Sequence, residues 1–200
     1  ISKNKYEELI NSKIILKKRK RIFLEDTRYF VEDIRKKVIQ EYGYDKVHKQ
    51  GFNIKTPINL QLQNLAAGSL RKGLLEYDKR KGWRGPLENR KNNDWYKDLN
   101  KFKLEKSIGW QIAIVKRIDK FETVIQTSNK QNGIISYEDI SWTRKNFNEI
   151  FKINDLIYVK KVSDGKYSLR QLPNVNGGIV VMDPYSGRVL AMSGGFSFKK

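Results

Sequence analysis

Hydrophobic residues recur at helical spacing in the first part of the chain. The clearest case is a helix predicted over residues 27–42, whose apolar positions are four residues apart: Phe30, Ile34 and Val38. Asp26 and Thr27 precede this helix as favourable N-cap residues, and Gly43 supplies its stop. The pattern therefore predicts one amphipathic helix with defined ends.

A second helix is predicted over residues 60–80, with Asn59 as its N-cap. Its apolar stripe consists of Leu62, Leu65, Ala66, Leu70 and Leu74. The basic run at residues 79–81 suits the negative end of the helix dipole. This position explains the three charges without a binding partner.

Weaker patterns surround the two helices. Residues 1–12 resemble a short helix, and residues 13–21 form a basic segment that is predicted to be extended. Phe52 and Ile54 alternate like a short strand, which Pro57 would end.

Beyond residue 106 the hydrophobic period changes from helical to alternating. Five strands are predicted, at residues 107–119, 120–128, 133–137, 155–163 and 166–172. One face of the first strand, predicted to form the core, carries Ile108, Trp110, Ile112 and Ile114. An irregular or briefly helical piece at 138–151 separates the third and fourth strands. This arrangement favours a five-stranded Greek-key barrel of the OB type, with an SH3-like barrel as the alternative, because sequence does not reveal strand order.

The chain closes with a predicted hairpin. Two uninterrupted apolar runs, residues 179–182 and 189–192, flank turn chemistry at 183–187. Continuous apolar strands predict burial on both faces. Two strands alone are marginal in water, so the hairpin is expected to pack against helices within a larger sheet.

Charge changes this picture only slightly. The 200 residues carry 41 Lys and Arg against 22 Asp and Glu, a net charge of +19. Such an excess is typical of proteins that bind nucleic acid or another anionic polymer. However, the excess is spread along the chain, and only residues 17–21 form a true cluster. General composition bias towards Lys, Ile and Asn is the preferred explanation.

Several kinds of site are excluded by residue type. The chain has no cysteine, which excludes disulfides, thiolate metal sites and a cysteine nucleophile. His48 is the only histidine, and it is interpreted as a solvated loop residue rather than a catalytic or metal-binding group. No run of about 20 apolar residues and no signal peptide is present. The first residue is Ile, so the chain is expected to be a segment of a longer protein.

Three stretches then indicate a family. Residues 177–198, "GGIVVMDPYSGRVLAMSGGFSF", resemble the opening of the transpeptidase domain in class A penicillin-binding proteins, the bifunctional enzymes that polymerise and crosslink peptidoglycan. Residues 62–86 resemble the linker helix and following loop of the 1A branch, and "YFVEDIRKKVIQEYG" resembles the segment before it. The barrel is identified mainly by its position between these stretches.

The resemblance implies a mixed α+β chain with three parts. Residues 1–82 would be a helical and extended interdomain linker, and residues 83–173 a five-stranded OB-like antiparallel β-barrel. Residues 174–200 would be the incomplete start of a transpeptidase domain. The resemblance also implies an enzyme anchored in the bacterial inner membrane, with its bulk on the periplasmic side.

The catalytic motifs of that family do not assemble in this chain. Transpeptidases of this class need S-x-x-K, S-x-N and K-T-G in one cleft. S-x-x-K occurs at Ser2/Lys5, Ser69/Lys72, Ser163/Lys166 and Ser197/Lys200, all in unsuitable contexts for a serine that should open a buried helix. S-x-N occurs only at residues 2–4, and Lys55-Thr56 is followed by Pro57 rather than Gly. The acidic pairs Glu7/Glu8 and Glu138/Asp139 are expected on solvated faces.

The sequence therefore predicts a non-catalytic linker and OB-like regulatory segment, with no catalytic, cofactor or metal residues. Its expected partners are peptidoglycan or an envelope regulatory protein, reached through the barrel, and not nucleic acid. The competing hypothesis is an OB protein that binds single-stranded nucleic acid on stacked aromatics. That platform would use Trp110, Tyr137, Trp142, Tyr158 and Tyr167, which are preferred here as packing residues of the barrel.

Overall fold

The computed structural model describes residues 2–11, 24–92 and 94–199. The predicted extended segment 13–21, with its basic cluster at 17–21, lies outside the described residues. The helices are α1 (Lys3–Asn11), α2 (Arg28–Tyr42), α3 (Tyr44–Gln50), α4 (Leu60–Lys79), α5 (Tyr137–Ile140) and α6 (Phe147–Ile150). The strands are β1 (Glu88–Asn89), β2 (Trp110–Ile118), β3 (Glu122–Thr127), β4 (Asn132–Ser136), β5 (Asp155–Ser163), β6 (Lys166–Arg170), β7 (Ile179–Met182) and β8 (Val189–Ser193). No helix in these ranges is long and apolar enough to span a membrane.

The two amphipathic helices lie close to their predicted positions. The Asn59 side chain caps α4 by accepting hydrogen bonds from the backbone N–H groups of Gln61 and Leu62, as expected. Helix α2 has Thr27 as its N-cap residue and Gly43 as its C-cap, as predicted. Thr27 forms no side-chain cap bond, however, and the Asp26 carboxylate binds Arg71 instead. Leu65, placed on the apolar stripe of α4, is 66% exposed.

Residues 43–59 differ from their prediction. Tyr44–Gln50 form helix α3, which has no buried residue and hence gave no apolar period to detect. The short strand predicted at Phe52 and Ile54 is absent, since residues 51–59 have no regular structure. Both side chains are exposed by more than a third.

Five strands close into a barrel in the order β5-β2-β3-β4-β6-β5. All neighbours are antiparallel except β4 and β6, which are parallel. The predicted five-stranded OB-like barrel is confirmed, and this Greek-key order decides against the SH3-like alternative. Short helices α5 and α6 fill the gap between β4 and β5, where a briefly helical piece was expected. The interior is formed by residues such as Val115, Ile125, Ile135, Val159 and Leu169.

The face of β2 that was predicted to form the core lies outside the barrel. Ala113 and Val115 point into the interior cluster. Ile112 and Ile114 instead pack with Trp95 and Leu99 of the connector, the segment between β1 and β2 at residues 90–109. Because both faces of β2 are buried, the alternation of apolar residues could not show which face points into the barrel interior. Ile108 lies in a 3₁₀ turn before the strand.

The terminal hairpin pairs β7 with β8 and packs against α4 and α2. Packing against helices was expected. Burial on both faces is wrong, because Val180 and Met182 are each 57% exposed while Ile179 and Val181 are half-buried. Within the described part of the chain this sheet has two strands, and the helices cover one of its faces.

Candidate functional site

None of the four S-x-x-K serines opens a buried helix. Ser2 is exposed at the start of the described residues, and Ser69 is exposed within α4. Ser163 is exposed at the end of β5, in the hairpin turn. Lys55, of the altered K-T-G stretch, is exposed in the irregular segment before α4. The structure does not bring these motifs into one cleft.

Ser197 is buried, but its hydroxyl is already engaged. Its Oγ donates to Glu105 Oε2 at 2.6 Å and accepts from the backbone N–H of Lys199 at 3.2 Å. Glu105 Oε1 accepts a second bond from the same N–H, at 3.0 Å. Lys200, the lysine of this motif, lies outside the described residues. The pair Ser197 and Glu105 therefore fastens the end of the chain to the connector before β2.

The other predicted polar residues occupy ordinary surface positions. His48 is exposed on α3 rather than in a loop, with its ring stacked on Tyr44 at 4.0 Å between centroids. Glu138 is exposed, and Asp139 is half-buried, accepting from Ser136 Oγ at 2.8 Å. Glu7 is exposed in α1, whereas the Glu8 side chain lies outside the description.

The five aromatic residues of the nucleic-acid hypothesis do not form a stacking surface. Tyr167 is fully buried in the barrel core, and Tyr158 is buried on its outer face beneath the connector. Trp110 packs on Phe196 of the hairpin region, with ring centroids 5.1 Å apart. Trp142 is half-buried, so Tyr137 alone is substantially exposed. The nucleic-acid alternative is not favoured.

The residues that the structure does bring together form a buried polar joint between α4, the barrel and the hairpin. Asp78, in the last turn of α4, is 2% exposed. Its Oδ1 accepts from Arg84 Nη1 at 2.8 Å and from the backbone N–H of Asn174 at 3.1 Å. Its Oδ2 accepts from Gln171 Nε2 at 2.9 Å. One carboxylate thus holds both the segment that enters the barrel and the segment that leaves it.

A second carboxylate anchors the middle of α4. Asp26 Oδ1 accepts from Arg71 Nη2 at 2.7 Å and from Ser107 Oγ at 2.9 Å. Arg71 Nε donates to the carbonyl of Phe196 at 3.0 Å. The segment before α2, helix α4, the connector and the end of the hairpin meet at this point.

Gln63 joins α4 to the hairpin through its amide. Its Nε2 donates to the carbonyls of Asp26 and Met192 at 2.8 and 2.9 Å, and its Oε1 accepts from Met192 N–H at 2.9 Å. The Met192 contacts imitate the backbone pairing of a further strand beside β8. Because Gln63 is fully buried, every one of these bonds is shielded from water.

An apolar seam fills the space between these polar contacts. Leu74 of α4, Ile108 before β2 and Phe196 after β8 form its buried centre. Partly buried Leu70, Leu104, Trp110, Leu172 and Val175 surround it. The joint therefore combines buried apolar side chains with hydrogen-bonded polar groups, a combination that is typical of a rigid interface.

The chemistry of the joint is structural rather than catalytic. Burial alone would raise the pKa of Asp78, but hydrogen bonds from Arg84, Gln171 and Asn174 outweigh it and lower that pKa. An acid held ionised and saturated with donors is neither a proton donor nor a free base. In residues 2–11, 24–92 and 94–199, no group of three or more acidic or histidine side chains is arranged to hold a metal ion.

Sequence reasoning missed this joint. Asp26 was interpreted as a helix cap, and Gln63 and Asp78 received no role. Gln63 stands among the apolar positions of α4, which is the one available signal, but sequence does not tell a buried glutamine from an exposed one.

Fold and contacts now define the class of protein. Residues 83–175 match the family described as "Penicillin-binding protein OB-like domain". The five barrel strands lie within this match, and α4 and the terminal hairpin lie outside it.

Relatives identify the branch. The chain is 32% identical to "Penicillin-binding protein 1A" of Rickettsia prowazekii, over 99% of this chain and 26% of that protein. It is 27% identical to the protein of the same name in Pseudomonas aeruginosa, over 86% of this chain and 22% of that protein. These matches support a fragment of a class A penicillin-binding protein, and the chain spans about a quarter of the length of these curated relatives.

A solved structure agrees with this assignment. The crystal structure of Penicillin-Binding Protein 1A from Haemophilus influenzae matches with a TM-score of 0.75 at 26% identity. The match covers all of this chain and 30% of that chain. It includes the helices and the hairpin as well as the barrel.

Proposed function

We propose that this chain is the non-catalytic segment of a bifunctional peptidoglycan synthase, an enzyme that polymerises glycan strands and crosslinks their peptides. In this proposal the segment holds the OB-like barrel, α4 and the first transpeptidase hairpin as one unit. The unit would fix the distance and orientation between the two catalytic domains. Anchoring in the inner membrane, with this segment on the periplasmic side, belongs to the same proposal.

The observation that carries the proposal is the use of two buried carboxylates, Asp78 and Glu105, and one partly buried carboxylate, Asp26. Asp26, Asp78 and Glu105 each accept at least two hydrogen bonds, and each set of bonds joins different elements. Removing one partner of a buried, hydrogen-bonded charge is costly, so such contacts disfavour separate movement of the joined parts. A spacer needs this property, whereas an active site needs an unsatisfied nucleophile and base.

The barrel is the part proposed to meet a regulatory partner. Peptidoglycan or an envelope regulatory protein would bind its surface, and the segment itself would need no cofactor. The barrel lies between two packed elements of the proposed synthase. A partner bound to it would therefore act on both neighbouring elements.

Labelling with a fluorescent penicillin tests the non-catalytic assignment. The purified 200-residue chain is expected to remain unlabelled, with a full-length class A relative as the positive control. Acylation of Ser197, or of any other serine found by peptide mapping, would overturn it.

Hydrogen exchange tests the spacer assignment. Amides of the connector near Glu105 and of the hairpin near Met192 are expected to exchange at one common rate, because they open together. Fast exchange of the hairpin beside a protected barrel would show two independent units and would contradict the proposal.

A further inference from the structure

A basic cleft lies between α4 and the outer face of the barrel. Its volume is about 370 Å³, within the size range of small-ligand sites. The charged side chains that line it are Arg71, Lys72, Glu76, Lys79, Lys160 and Arg170. Five of the six are cations.

These cations are brought together by the residue spacing on helix α4 and by the pairing of strands β5 and β6. On α4, residues 72, 76 and 79 follow at helical spacing and so share a face. On the barrel, Lys160 of β5 and Arg170 of β6 are diagonal neighbours, because Lys160 pairs with Ser168 and Tyr158 pairs with Arg170. Side chains of the helix and of these two strands line the same cleft.

Within the part of the chain that the structure describes, three of the cations form no ion pair. Arg71 pairs with Asp26 at 2.7 Å, and Lys72 pairs with Glu76 at 3.9 Å. By contrast, Lys79, Lys160 and Arg170 form no ion pair with any residue that the structure describes. Glu76 and Asp139 are near enough to act electrostatically on Lys79 and Arg170 respectively, but neither reaches within ion-pair distance.

This arrangement is unlike the scattered surface lysines of the chain. Lys79 and Arg170 are both half-buried. Burial, and next the charge of Arg170, lower the pKa of Lys79, while burial lowers the pKa of Arg170. The folded chain therefore holds like charges together, partly out of water, and among the described residues no carboxylate lies within ion-pair distance of Lys79 or Arg170. An anion bound between them would remove that cost.

We propose that this cleft binds an oxyanion group, a carboxylate or a phosphate, held jointly by Lys79, Lys160 and Arg170. Lysine and arginine donate charge-assisted hydrogen bonds to either group. The site lies on β5, β6 and α4, at the joint itself, so a bound anion would contact the barrel and the helix at once. The inference does not rest on the proposed spacer function, because it needs only the geometry of the cleft.

Calorimetric titration of the 200-residue chain tests it, with inorganic pyrophosphate as the phosphate probe and citrate as the carboxylate probe. Saturable binding of at least one probe at one site per chain is expected, weakening as salt is added. The probe that binds more tightly identifies the source of the oxyanion. Absence of saturable binding of both probes up to about 10 mM would overturn the proposal.

Matched variants separate the cleft from general surface charge. Lys79→Gln combined with Lys160→Gln is expected to weaken binding at least about tenfold. Lys116→Gln combined with Lys145→Gln removes the same charge from exposed positions outside the cleft and is expected to leave affinity nearly unchanged. Equal losses in the two double variants would mean attraction to net charge only, which contradicts the site.

A stability measurement guards against loss through misfolding. Because the cations repel one another, the cleft double variant is expected to unfold at the same temperature as the parent chain or above it. Arg170→Gln provides a second variant with the same expected loss of affinity. Undiminished binding in both variants would refute the assignment of these residues.

Discussion

Ser197 Oγ and Glu105 Oε2 lie 2.6 Å apart, joined across 92 positions of the chain by a buried hydrogen bond. The same serine stands in an S-x-x-K sequence, the motif that carries the nucleophile in penicillin-recognising enzymes. Its partner here is a carboxylate that also accepts from Lys199 N–H, and both bonds hold the end of the hairpin region to the connector. This serine fastens two elements together.

Ser197→Ala is expected to lower the free energy of unfolding by about 1–3 kcal/mol, because it removes a donor from a buried carboxylate. Ser69→Ala is the matched control, since Ser69 belongs to another S-x-x-K sequence but is exposed on α4. It is expected to leave stability unchanged or slightly higher, as alanine favours helices. Denaturant unfolding measures both, and similar effects of the two changes would contradict the structural role of Ser197.

Asp78 makes the stability of the joint depend on acidity. Its pKa is below the ordinary value of 3.8 in the folded chain, so its stabilising contribution is present above that value and is lost as the pH falls through the folded pKa. Asp78→Asn is expected to lower the free energy of unfolding by about 1–3 kcal/mol at neutral pH, because its amide would face the donors of Arg84 or Gln171. The acid-dependent loss should become shallower in the variant.

Unfolding midpoints measured between neutral pH and strongly acidic solution check this expectation. Asp164→Asn serves as the control, since the Asp164 side chain is 99% exposed beside Lys161. It should keep the parent midpoint at neutral pH. A variant at Asp78 that follows the parent curve throughout would show that the carboxylate does not bear on folding.

Two glycines should respond in opposite directions to a methyl group. A Cβ on Gly133 would clash with the Tyr167 ring inside the barrel and would lie 3.0 Å from the Gly165 carbonyl oxygen. Gly133→Ala is therefore expected to destabilise the chain by about 1–3 kcal/mol through overpacking. Gly73, within α4, has open space around its Cβ position, so Gly73→Ala should stabilise by about 0.5–1 kcal/mol. Thermal unfolding of both variants gives the signs directly, and a stable Gly133→Ala chain would argue against the packing at Tyr167.

Tyr158 should resist ionisation. Burial raises its pKa to about 12, and its hydroxyl donates to the carbonyl of Phe102 at 2.6 Å. Because the folded pKa is raised from 10.0, its contribution is complete below pH 10 and is lost as the pH rises towards 12. That loss should be on the order of 2 kcal/mol.

Ultraviolet difference titration checks the expectation for Tyr158. One late-titrating tyrosine signal should disappear in Tyr158→Phe, and that variant should lose less stability than the parent between pH 10 and pH 12. A spectrum in which Tyr158 ionises with the exposed tyrosines would mean that the connector does not cover it.

Local sequence patterns predicted much of the fold. The helix capped by Asn59, the five barrel strands and the turn before β6 depend on neighbours within a few residues, and sequence reports these directly. Ile112 and Ile114 show the limit of such patterns. Their alternation predicted that they are buried, but it did not show whether their face of the sheet points into the barrel or away from it. That choice depends on the connector, whose Trp95 and Leu99 pack on the outer face of the sheet.

The joint could not be predicted for a different reason. Asp78 and Asn174 are 96 positions apart, and Gln63 and Met192 are 129 apart. Polar residues give no periodic signal when they are buried singly, so only the closed fold reveals their partners. The burial prediction for the hairpin was wrong for another reason. Val180 and Met182 suggested a strand buried on both faces, but within the described chain the helices cover only one face of the hairpin.

The bonds around Asp78 bring together the points at which the barrel begins and ends. Arg84 N–H donates to Gln171 Oε1 at 2.8 Å, and Arg84 Nη2 donates to the Leu172 carbonyl at 2.6 Å, so residues nearly ninety positions apart are side by side. A domain whose two ends coincide can be exchanged, enlarged or removed while the host keeps its shape. In evolutionary terms these coinciding ends suit a portable insertion between a helix and a hairpin that contact each other directly, so the barrel can acquire new surface chemistry while that contact is kept.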